Sequence, residues 1–321
     1  MTMAGTTTCP SCQAAVGADM RFCEACGAPI PEPVTLATCA ACNATAESRD
    51  GYCPQCGARL PRARDHVEHE GRGVGAVTDR GRRHHRNEDA MAVDADTFPV
   101  VLAVVCDGVS TTERPDEASQ AAVDAALAVL RADPTPGALT ASYEAARAAV
   151  LTVPIDGVEG LGNPSCTFLA GIVGEAEATV ANLGDCRAYW VGDDAFATVT
   201  IDDSWATEEI AAGRMTEAEA YADPRAHTIT RWLGADADPT WMPRIDRFPI
   251  DGPGRFILCS DGLWNYAMDG RAVADAMGDR TAPPLAVARR LTDFANESGG
   301  HDNITVVVVD LPRPTSERAP A

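Results

Sequence analysis

The chain has 321 residues and a formal net charge of −21, from 47 acidic and 26 basic residues, and every basic residue is arginine. It is long enough to bury a substantial core, as one large domain or two smaller ones. Its negative charge repels phosphate backbones and anionic lipids, which argues against non-specific binding to nucleic acids or membranes.

The apolar runs and the cysteines bear on where the protein works. No apolar run approaches the roughly 18 residues of a membrane span, and the first thirty residues hold four cysteines rather than a signal peptide. We therefore expect a cytoplasmic protein with no membrane partner. In a reducing compartment, the twelve cysteines are better explained by metal binding than by disulfides.

Eight of the twelve cysteines form two copies of one pattern. Each copy has two Cys-x-x-Cys pairs separated by ten residues, and the second copy follows the first by thirty residues. They are Cys9, Cys12, Cys23 and Cys26 in the first copy and Cys39, Cys42, Cys53 and Cys56 in the second. Four thiolates at this spacing form a closed tetrahedral site that suits structural Zn²⁺, and so short a segment needs the ion to fold. Redox dithiols or disulfides are the alternative.

The two copies resemble tandem zinc ribbons, the first over residues 1–30 and the second over residues 38–60. Residues 1–64 contain five acids, five arginines and few aromatic residues. They therefore lack the basic, stacking surface that a nucleic-acid-binding module presents. A protein partner or a purely structural role is favoured instead.

Beyond the ribbons the pattern changes. The polar residues 61–72 are typical of a linker, in which we expect His66 and His69 to be solvated rather than metal-bound. Short runs rich in Val, Ile and Leu predict strands over residues 100–106, 166–173, 178–184, 255–260 and 303–311. Helices are predicted over residues 114–133 and 137–153, with shorter ones between 202 and 224.

Acidic residues stand at the ends of these strands. Asp107, Asp185 and Asp261 each follow an apolar strand, Asp302 precedes the last strand, and Glu88 and Asp89 precede another apolar stretch. If the strands share a sheet, these carboxylates gather at one rim, where their mutual repulsion requires neutralising cations. Ligation by oxygen alone favours Mg²⁺ or Mn²⁺ over zinc. For any single Asp-Gly pair, a plain turn is the alternative.

Six segments match one known family in residue pattern and in order. They are TDRGRRHHRNEDA (78–90), CDGVS (106–110), NPSCTFLAG (163–171), ANLGDCRAYWV (181–191), LCSDGLWN (258–265) and HDNITVVVV (301–309). Together they resemble the metal-dependent Ser/Thr protein phosphatases of type 2C, the PPM family, over residues 73–311. The resemblance implies an α+β fold over residues 73–312, a four-layer α-β-β-α sandwich of two antiparallel sheets flanked by helices. Residues 313–321 are then a flexible tail.

In this family two metal ions share a water or hydroxide, and the resemblance assigns ligands to both ions. Asp107 matches the carboxylate that bridges the ions, and Asp261 and Asp302 match ligands of the first ion. Glu88 and the carbonyl of Gly108 match ligands of the second ion. The implied chemistry is in-line attack of the hydroxide on phosphorus, which expels the Ser or Thr alkoxide without a phosphoenzyme.

Two further acids match supporting positions of the family. Asp89 stands beside Glu88, and Asp185 lies in a block that helps to hold a weaker third ion in bacterial relatives. The four cysteines outside the ribbons follow no phosphatase nucleophile pattern and lie in or beside apolar strands, so we expect packing roles for them. These cysteines are Cys106, Cys166, Cys186 and Cys259.

The chain departs from the family pattern near the expected phosphate site. His84 stands where the family has an arginine that holds the substrate phosphate, and an imidazole binds phosphate less well than a guanidinium. Strand alternation would place His84, Arg86 and Glu88 on one face, so Arg86 is our candidate for the missing charge. No general acid is identified from the sequence, and His84 and His85 are no more than candidates for that role. The stretch 202–234 corresponds to a mobile flap.

The sequence thus predicts a cytoplasmic, bacterial-type phosphatase that hydrolyses phosphoserine and phosphothreonine in proteins, the products of a Ser/Thr kinase. It is expected to bind two or three Mn²⁺ or Mg²⁺ ions, and two Zn²⁺ ions in ribbons that recruit a protein partner or regulate the enzyme. The alternative is a catalytically weak, phosphatase-like module that binds phosphoproteins. The complete carboxylate set argues against that alternative, whereas His84 favours it. A ribbon-directed nucleic-acid binder is opposed by the acidic composition.

Overall fold

The computed structural model describes residues 6–9, 11–17, 25–26, 35–39, 41–48, 52–60, 62–96 and 98–311. The chain divides into two compact units, Met1–Arg62 and Ala63–Ala321. Cys23 of the first predicted zinc site and the predicted tail 313–321 lie outside the described residues. None of the helices in the described part of the chain combines the length and the apolar composition that a bilayer span requires.

The first unit contains two short antiparallel hairpins. Strand β1 (Thr6–Thr8) pairs with β2 (Ala15–Gly17), and β3 (Thr35–Thr38) pairs with β4 (Thr45–Ser48). The loop of each hairpin contains the first Cys-x-x-Cys pair of its copy. The internal repeat of the sequence is therefore also a repeat of backbone structure.

The backbone makes the same turn at three of the cysteine pairs. The carbonyls of Cys9, Cys39 and Cys53 each accept the N–H of the residue four positions later, over 2.9, 2.7 and 2.8 Å. That later residue has a positive φ in every case. The three residues are Gln13, Asn43 and Gly57, with φ angles of 65°, 56° and 73°. Such a tight turn brings both thiols of a pair to one side, as a shared metal ion requires.

The second unit is built from strands and helices in mixed order. Its strands are β5 (His66–Gly71), β6 (Val74–Asp79), β7 (Ala90–Asp94), β8 (Val101–Cys106), β9 (Ser165–Cys166), β10 (Phe168–Val173), β11 (Glu177–Leu183), β12 (Arg187–Gly192), β13 (Phe196–Thr198), β14 (Leu233–Gly234), β15 (Arg244–Pro249), β16 (Gly254–Cys259) and β17 (Ile304–Leu311). Its helices are α1 (Pro115–Ala132), α2 (Leu139–Val150), α3 (Trp205–Ala211), α4 (Glu217–Ala222), α5 (Asp261–Trp264), α6 (Gly270–Met277) and α7 (Pro284–Glu297). Short 3₁₀ turns precede β5 and α2.

Two antiparallel sheets form the centre of the second unit. One has the strand order β15-β11-β10-β8-β7, and the other has the order β13-β12-β16-β17-β6-β5. Alternate side chains of each sheet point into the space between them, where Ala103 and Val105 of β8 pack with Leu258 of β16 and Val307 of β17. This shared core holds the sheets face to face.

Helices cover the outer faces of both sheets. Leu102 and Val104 of β8 belong to a core that includes apolar residues of α1 and α2. Val306 and Val308 of β17 belong to another core with apolar residues of α6 and α7. Since both faces of the central strands are buried, these strands read as continuous apolar runs in the sequence. The predicted α-β-β-α sandwich of two antiparallel sheets is confirmed.

The sequence analysis did not predict several elements, including β6, β12, β15, α6 and α7, and it assigned two segments wrongly. Residues 66–71, which we expected to belong to a linker, form β5 and pair with β6 from His66↔Asp79 to Gly71↔Val74. The apolar pattern fails there because β5 is an edge strand whose residues are largely exposed. Residues 81–89 form turns instead of the expected strand, and β7 starts only at Ala90.

Candidate active site

The sheet topology brings the acidic residues to one end of the sandwich. Asp107 follows the end of β8, beside the start of β7, where Ala90 pairs with Cys106. Asp261 follows the end of β16 and begins α5, beside the start of β17. Antiparallel neighbours alternate in direction, so the end of one strand lies beside the start of the next. Residues that the sequence places more than 150 positions apart therefore meet.

Electrostatics show that these carboxyl groups face one another. Burial raises the pKa of Asp107 well above its usual range, and the neighbouring charges of Asp89, Asp261 and Asp302 raise it further. Asp261 responds in the same way, since burial and the charges of Asp302 and Asp185 raise its pKa well above the usual range. We call the six residues of this group the acidic nest. They are Glu88, Asp89, Asp107, Asp185, Asp261 and Asp302.

Two oxygen atoms in the acidic nest are buried without a hydrogen-bond partner. These atoms are Oδ1 of Asp89 and Oδ1 of Asp261. A buried carboxylate oxygen that no donor satisfies is costly, and a bound cation removes that cost. The donors available are carboxylates and a carbonyl, which are the ligands of hard divalent cations. The residues present therefore fit Mn²⁺ or Mg²⁺.

The carboxylates of the acidic nest are not gathered as closely as the ribbon thiols. Among the described residues, only the two cysteine groups bring three or more ligand atoms to within 4.8 Å of one another. The fit of the nest to divalent cations therefore depends on its unsatisfied oxygens and its ligand chemistry.

Two hydroxyl groups orient Asp89 from neighbouring strand ends. Ser260 Oγ and Thr305 Oγ1 each donate to Asp89 Oδ2 over 2.7 Å. These bonds lower the pKa of Asp89, but burial outweighs them and the net pKa is about 6. With Oδ2 held in this way, Oδ1 remains free for a cation. The sequence analysis did not identify either hydroxyl, although Ser260 lies next to Asp261.

Asn303 holds the backbone of the segment that carries Glu88. Its side-chain oxygen accepts the N–H of Glu88 over 2.7 Å, and its amide nitrogen donates to the carbonyls of Arg80 and Arg86 over 2.8 and 3.0 Å. Asn303 is buried. The sequence analysis did not identify Asn303 as a site residue, and its position directly after Asp302 is the one feature of the sequence that could have indicated it.

Glycine follows both Asp107 and Asp261 for a steric reason. A Cβ atom on Gly108 would lie 2.5 Å from the carbonyl oxygen of Pro115, and one on Gly262 would lie 1.8 Å from the carbonyl oxygen of Asn303. Both contacts involve backbone atoms that cannot move aside. The glycines therefore allow close backbone approach beside the acidic nest.

The basic residues predicted for phosphate binding contact the acidic nest itself. His84 places Nε2 3.1 Å from Asp302 Oδ1 and Nδ1 3.9 Å from Glu88 Oε2. Arg86 donates from Nε to Glu88 Oε1 over 2.8 Å and lies 3.5 Å from Asp116. His84, Arg86 and Glu88 do meet, but in a turn rather than through strand alternation. The charge of Arg86 is already matched by two carboxylates.

Asp185 connects the acidic nest to a buried ion pair. Burial and the charge of Asp202 raise the pKa of Asp185 to about 7. Its backbone carbonyl accepts the indole N–H of Trp264 over 2.8 Å. Arg187 stacks on that indole, 3.8 Å from the ring centroid, and pairs with Asp202 over 2.6 Å. This arrangement links the site to the start of the predicted flap.

Two residues of the predicted flap, His227 and Arg231, contact the protein itself. The His227 ring lies 5.4 Å from the ring of Trp264, and burial lowers its pKa. Arg231 lies 3.7 Å from Asp203.

Other residues singled out in the sequence lie away from the flap. In β5, His66 contacts Asp79 over 2.7 Å. The cysteines of the sandwich are fully buried, as packing roles require; they are Cys106, Cys166, Cys186 and Cys259.

The ribbon cysteines gather as two separate groups. Cys39 and Cys56 have their sulfur atoms 3.6 Å apart, as do Cys42 and Cys53. In the other group, the Cys9 and Cys26 sulfur atoms are also 3.6 Å apart, and Cys12 completes its described part. Four thiolates around zinc at about 2.3 Å stand about 3.8 Å from one another, so these groups fit structural Zn²⁺.

Comparison with known proteins gives the same division of the chain. The protein phosphatase 2C family matches residues 78–296, and the double zinc ribbon family matches residues 9–57. The serine/threonine phosphatase stp of Listeria innocua is 30% identical over 242 residues, which cover 73% of this chain and 93% of that protein. The phosphatase PstP of Mycobacterium tuberculosis is 31% identical over 241 residues, 74% of this chain and 44% of that protein.

Solved structures of phosphatases also resemble this chain over most of its length. The PPM Ser-Thr phosphatase MsPP of Mycobacterium smegmatis, in complex with cacodylate, superposes with a TM-score of 0.61 at 32% identity, covering 74% of this chain and 97% of that one. The catalytic domain of PstP with two manganese ions has a TM-score of 0.60 at 27% identity, covering 74% and 96%. The double-sheet sandwich and its acid-lined end define a metal-dependent phosphatase. The chain belongs to the protein phosphatase 2C family and carries a double zinc ribbon at its N-terminal side.

Proposed function

We propose that the acidic nest is the active site at which this protein phosphatase hydrolyses phosphoserine and phosphothreonine in proteins. The observation that supports this assignment most strongly is the pair of unsatisfied, buried oxygens on Asp89 and Asp261. They lie among carboxylates whose pKa values are raised by burial and by one another's negative charge, and bound cations would stabilise such a group. The relative from Listeria innocua, which matches 73% of this chain, is a serine/threonine phosphatase.

Each residue of the nest has a proposed role. Asp107 would ligate both of two Mn²⁺ or Mg²⁺ ions, with Asp261 and Asp302 holding the first ion and Glu88 and the Gly108 carbonyl holding the second. Asp89 would support the second ion, and Asp185 would help to hold a third. When bound, the ions supply an acidified water molecule and neutralise phosphoryl oxygens. No side-chain nucleophile is required.

The chain's own groups orient and tune these ligands. Thr167 Oγ1 accepts the N–H of Asp107 over 2.9 Å, which fixes the start of the loop after β8. Ser110 donates to Glu88 Oε2, and Arg86 holds the other oxygen of the same carboxylate. His84 contacts Asp302 through Nε2, so it is placed to hold a proton at the edge of the nest. We propose His84 as the candidate proton donor to the leaving group.

The alternative function, a module that binds phosphoproteins without turnover, is not favoured. It would need a departure in the acidic nest, and all six carboxylates are present with their supporting hydroxyl and amide groups. His84 remains the one departure that favours it, because that position holds an imidazole rather than a guanidinium.

Further parts of the function extend the same proposal. We propose that the substrates are products of a Ser/Thr kinase and that the ribbons, over residues 1–30 and 38–60, bind a protein partner. The ribbon cysteines gather in groups that fit Zn²⁺ rather than disulfides, which supports a reducing, cytoplasmic setting. The catalytic domain is proposed to begin near residue 63, because Arg64 donates to the Asp116 carbonyl within the sandwich.

The test compares the parent protein with Asp261→Asn on p-nitrophenyl phosphate and on a phosphothreonine peptide, with Mn²⁺. Asp275→Asn is the matched control, because that carboxylate is exposed and pairs only with Arg271 on helix α6. Loss of a ligand should lower kcat/KM on the order of 10²-fold or more, while the control stays near the parent rate. Calorimetry should show weaker Mn²⁺ binding in Asp261→Asn. Equally negligible rates for the parent and Asp261→Asn would instead identify a binding module.

A further inference from the structure

The segment Arg80–Arg86 concentrates positive charge beside the acidic nest. Its sequence, Arg-Gly-Arg-Arg-His-His-Arg, contains four arginines, two histidines and no acid, in a chain of net charge −21. It forms the turns before β7. We call it the basic turn.

Specific hydrogen bonds hold the basic turn at both ends and at Arg82. The Asn303 amide donates to the carbonyls of Arg80 and Arg86 over 2.8 and 3.0 Å. The N–H of Arg82 donates to the Gly300 carbonyl over 2.9 Å. These bonds fix where the side chains between them emerge, so the turn is a preorganised surface rather than a loose loop.

Three of its basic side chains are engaged by the protein itself. Arg80 lies 3.8 Å from Asp65 and donates to the carbonyl of His84. Arg86 pairs with Glu88, and His84 contacts Asp302 over 3.1 Å. Their charges are already matched within the fold, so they contribute little free positive potential at the surface.

Arg82 and Arg83 differ from these residues. Both are exposed, and no hydrogen bond, ion pair or ring contact of either side chain occurs with any residue that the structure describes. Several exposed arginines elsewhere in the sandwich do pair with carboxylates: Arg214 with Glu209, Arg225 with Asp223 and Arg289 with Glu68, over 2.7, 2.9 and 2.5 Å. In so acidic a protein, two adjacent unpaired guanidinium groups leave a local positive charge for a ligand to match.

Their place in the chain puts them at the rim of the nest. Arg83 immediately precedes His84, which touches Asp302, and neighbouring Cα atoms lie about 3.8 Å apart. Arg82 packs along Gly300, two residues before Asp302, since a Cβ on Gly300 would lie 2.9 Å from Arg82 Cγ. The backbone of both arginines therefore lies beside residues that contact or precede Asp302 of the acidic nest.

We propose that Arg82 and Arg83 form a subsite for an anionic side chain that flanks the phosphorylated residue of the substrate. The proposal rests on the proposed phosphatase function and adds a substrate class, phosphoproteins with acidic residues next to the phosphorylated one. Guanidinium groups bind carboxylates through paired hydrogen bonds, and the local charge offsets the repulsion that the net negative protein exerts on acidic peptides. A second phosphate on a neighbouring residue offers the same chemistry.

The experiment measures kcat and KM on three matched phosphothreonine peptides, with neutral flanks, with aspartate flanks and with a second phosphoresidue. The enzymes are the parent, Arg82→Ala, Arg83→Ala, the double variant and Arg247→Ala. The control arginine is exposed, and its one ion pair is a long contact of 3.9 Å with Glu177 at the far end of β11.

For the aspartate-flanked peptide, each single variant should lose about two- to fivefold and the double variant about tenfold in kcat/KM, mainly through KM. The neutral peptide and the control should change less than about twofold, and added salt should shrink the difference between peptides. A larger loss on the doubly phosphorylated peptide than on the aspartate peptide would identify phosphate as the preferred flank. A non-hydrolysable phosphonate peptide with aspartate flanks should show the same loss of affinity by fluorescence anisotropy.

A charge-reversed double variant, Arg82→Glu with Arg83→Glu, should reverse the preference and favour a peptide with arginine flanks. Equal losses on p-nitrophenyl phosphate and on the aspartate peptide would overturn the proposal, because p-nitrophenyl phosphate has no flank. Unchanged selectivity among the peptides would overturn it too. Either result leaves the phosphatase function intact as long as the parent turns over p-nitrophenyl phosphate, so the two failures are distinguishable.

Discussion

The side-chain oxygen of Asn303 accepts the backbone N–H of Glu88 over 2.7 Å, across 215 positions of sequence. The same side chain donates to the carbonyls of Arg80 and Arg86. One buried side-chain amide thus holds the backbone of Glu88, a member of the acidic nest, and both ends of the basic turn.

Asn303→Ala should therefore affect stability and metal binding together. Three hydrogen bonds at about 0.5–1.5 kcal/mol each imply a loss of about 2–3 kcal/mol in the free energy of unfolding. Displacing Glu88 should weaken Mn²⁺ binding about tenfold. Urea unfolding and calorimetry measure the two effects. Gln120→Ala, which removes only a surface bond to Asp124, is the control, and an unchanged Mn²⁺ affinity in Asn303→Ala would refute the positioning role.

Asp107→Asn should stabilise the metal-free protein and remove the stabilisation that bound Mn²⁺ provides. Burial and the charges of Asp89, Asp261 and Asp302 raise the pKa of Asp107, so at neutral pH the metal-free nest is under electrostatic strain. The amide relieves this strain, and the melting temperature should rise by about 2–4 °C for each kcal/mol relieved. The stabilisation by Mn²⁺ seen with the parent should disappear. Differential scanning calorimetry with and without Mn²⁺ tests both parts; a lower melting temperature for the metal-free variant would contradict them.

The pair of Arg187 and Asp202 should behave as a buried ion pair. Both side chains are almost fully buried, at 5% and 4% exposure, and their charged atoms meet at 2.6 Å. Arg187→Met leaves a buried carboxylate without its partner and should cost about 3–5 kcal/mol. Arg187→Met combined with Asp202→Leu should cost clearly less than the sum of the single changes. Strict additivity in urea unfolding would show that the two groups do not interact.

His66 should make a small contribution to stability that depends on pH. Burial lowers its pKa, but hydrogen bonds to Asp79 and Glu68 outweigh burial, and the net pKa is raised. A raised folded-state pKa stabilises the protein below the unfolded-state value of about 6.5, and the gain is lost as pH rises through the folded-state value. His66→Gln should therefore destabilise by a few tenths of a kcal/mol, more at about pH 6 than at about pH 8.5, because the ring is half-exposed. A loss of stability in His66→Gln that grows as the pH rises would contradict this prediction.

Removal of residues 1–62 should separate zinc binding from phosphatase activity. This cut follows the boundary between the two compact units and keeps Arg64, which donates to the Asp116 carbonyl. We expect turnover of p-nitrophenyl phosphate within about twofold of the parent, and a fall in bound zinc from two ions to none. Metal analysis and kinetics test this together. Loss of turnover with the sandwich still folded would show that the ribbons support the active site directly.

Much of the site was readable from the sequence because its signals are local. Asp107 and Asp261 were identifiable from an apolar strand followed by Asp-Gly, and a Cβ at either glycine would strike backbone. The ribbon cysteines were identifiable from spacing alone. The edge strand β5 was not, because its residues are exposed and carry no apolar alternation.

By itself, the sequence determined the central strands, the zinc-binding cysteines and the set of acids, since each depends on residues a few positions apart. The tertiary structure alone decided which partners those acids have: Asn303 for Glu88, Ser260 and Thr305 for Asp89, and Glu88 for Arg86. It also left the side chains of Arg82 and Arg83 without hydrogen-bond or ion-pair partners among the described residues. The reason is physical, because contacts across strand ends depend on the register of β16 and β17 and on the turn before β7, which no short stretch of sequence encodes.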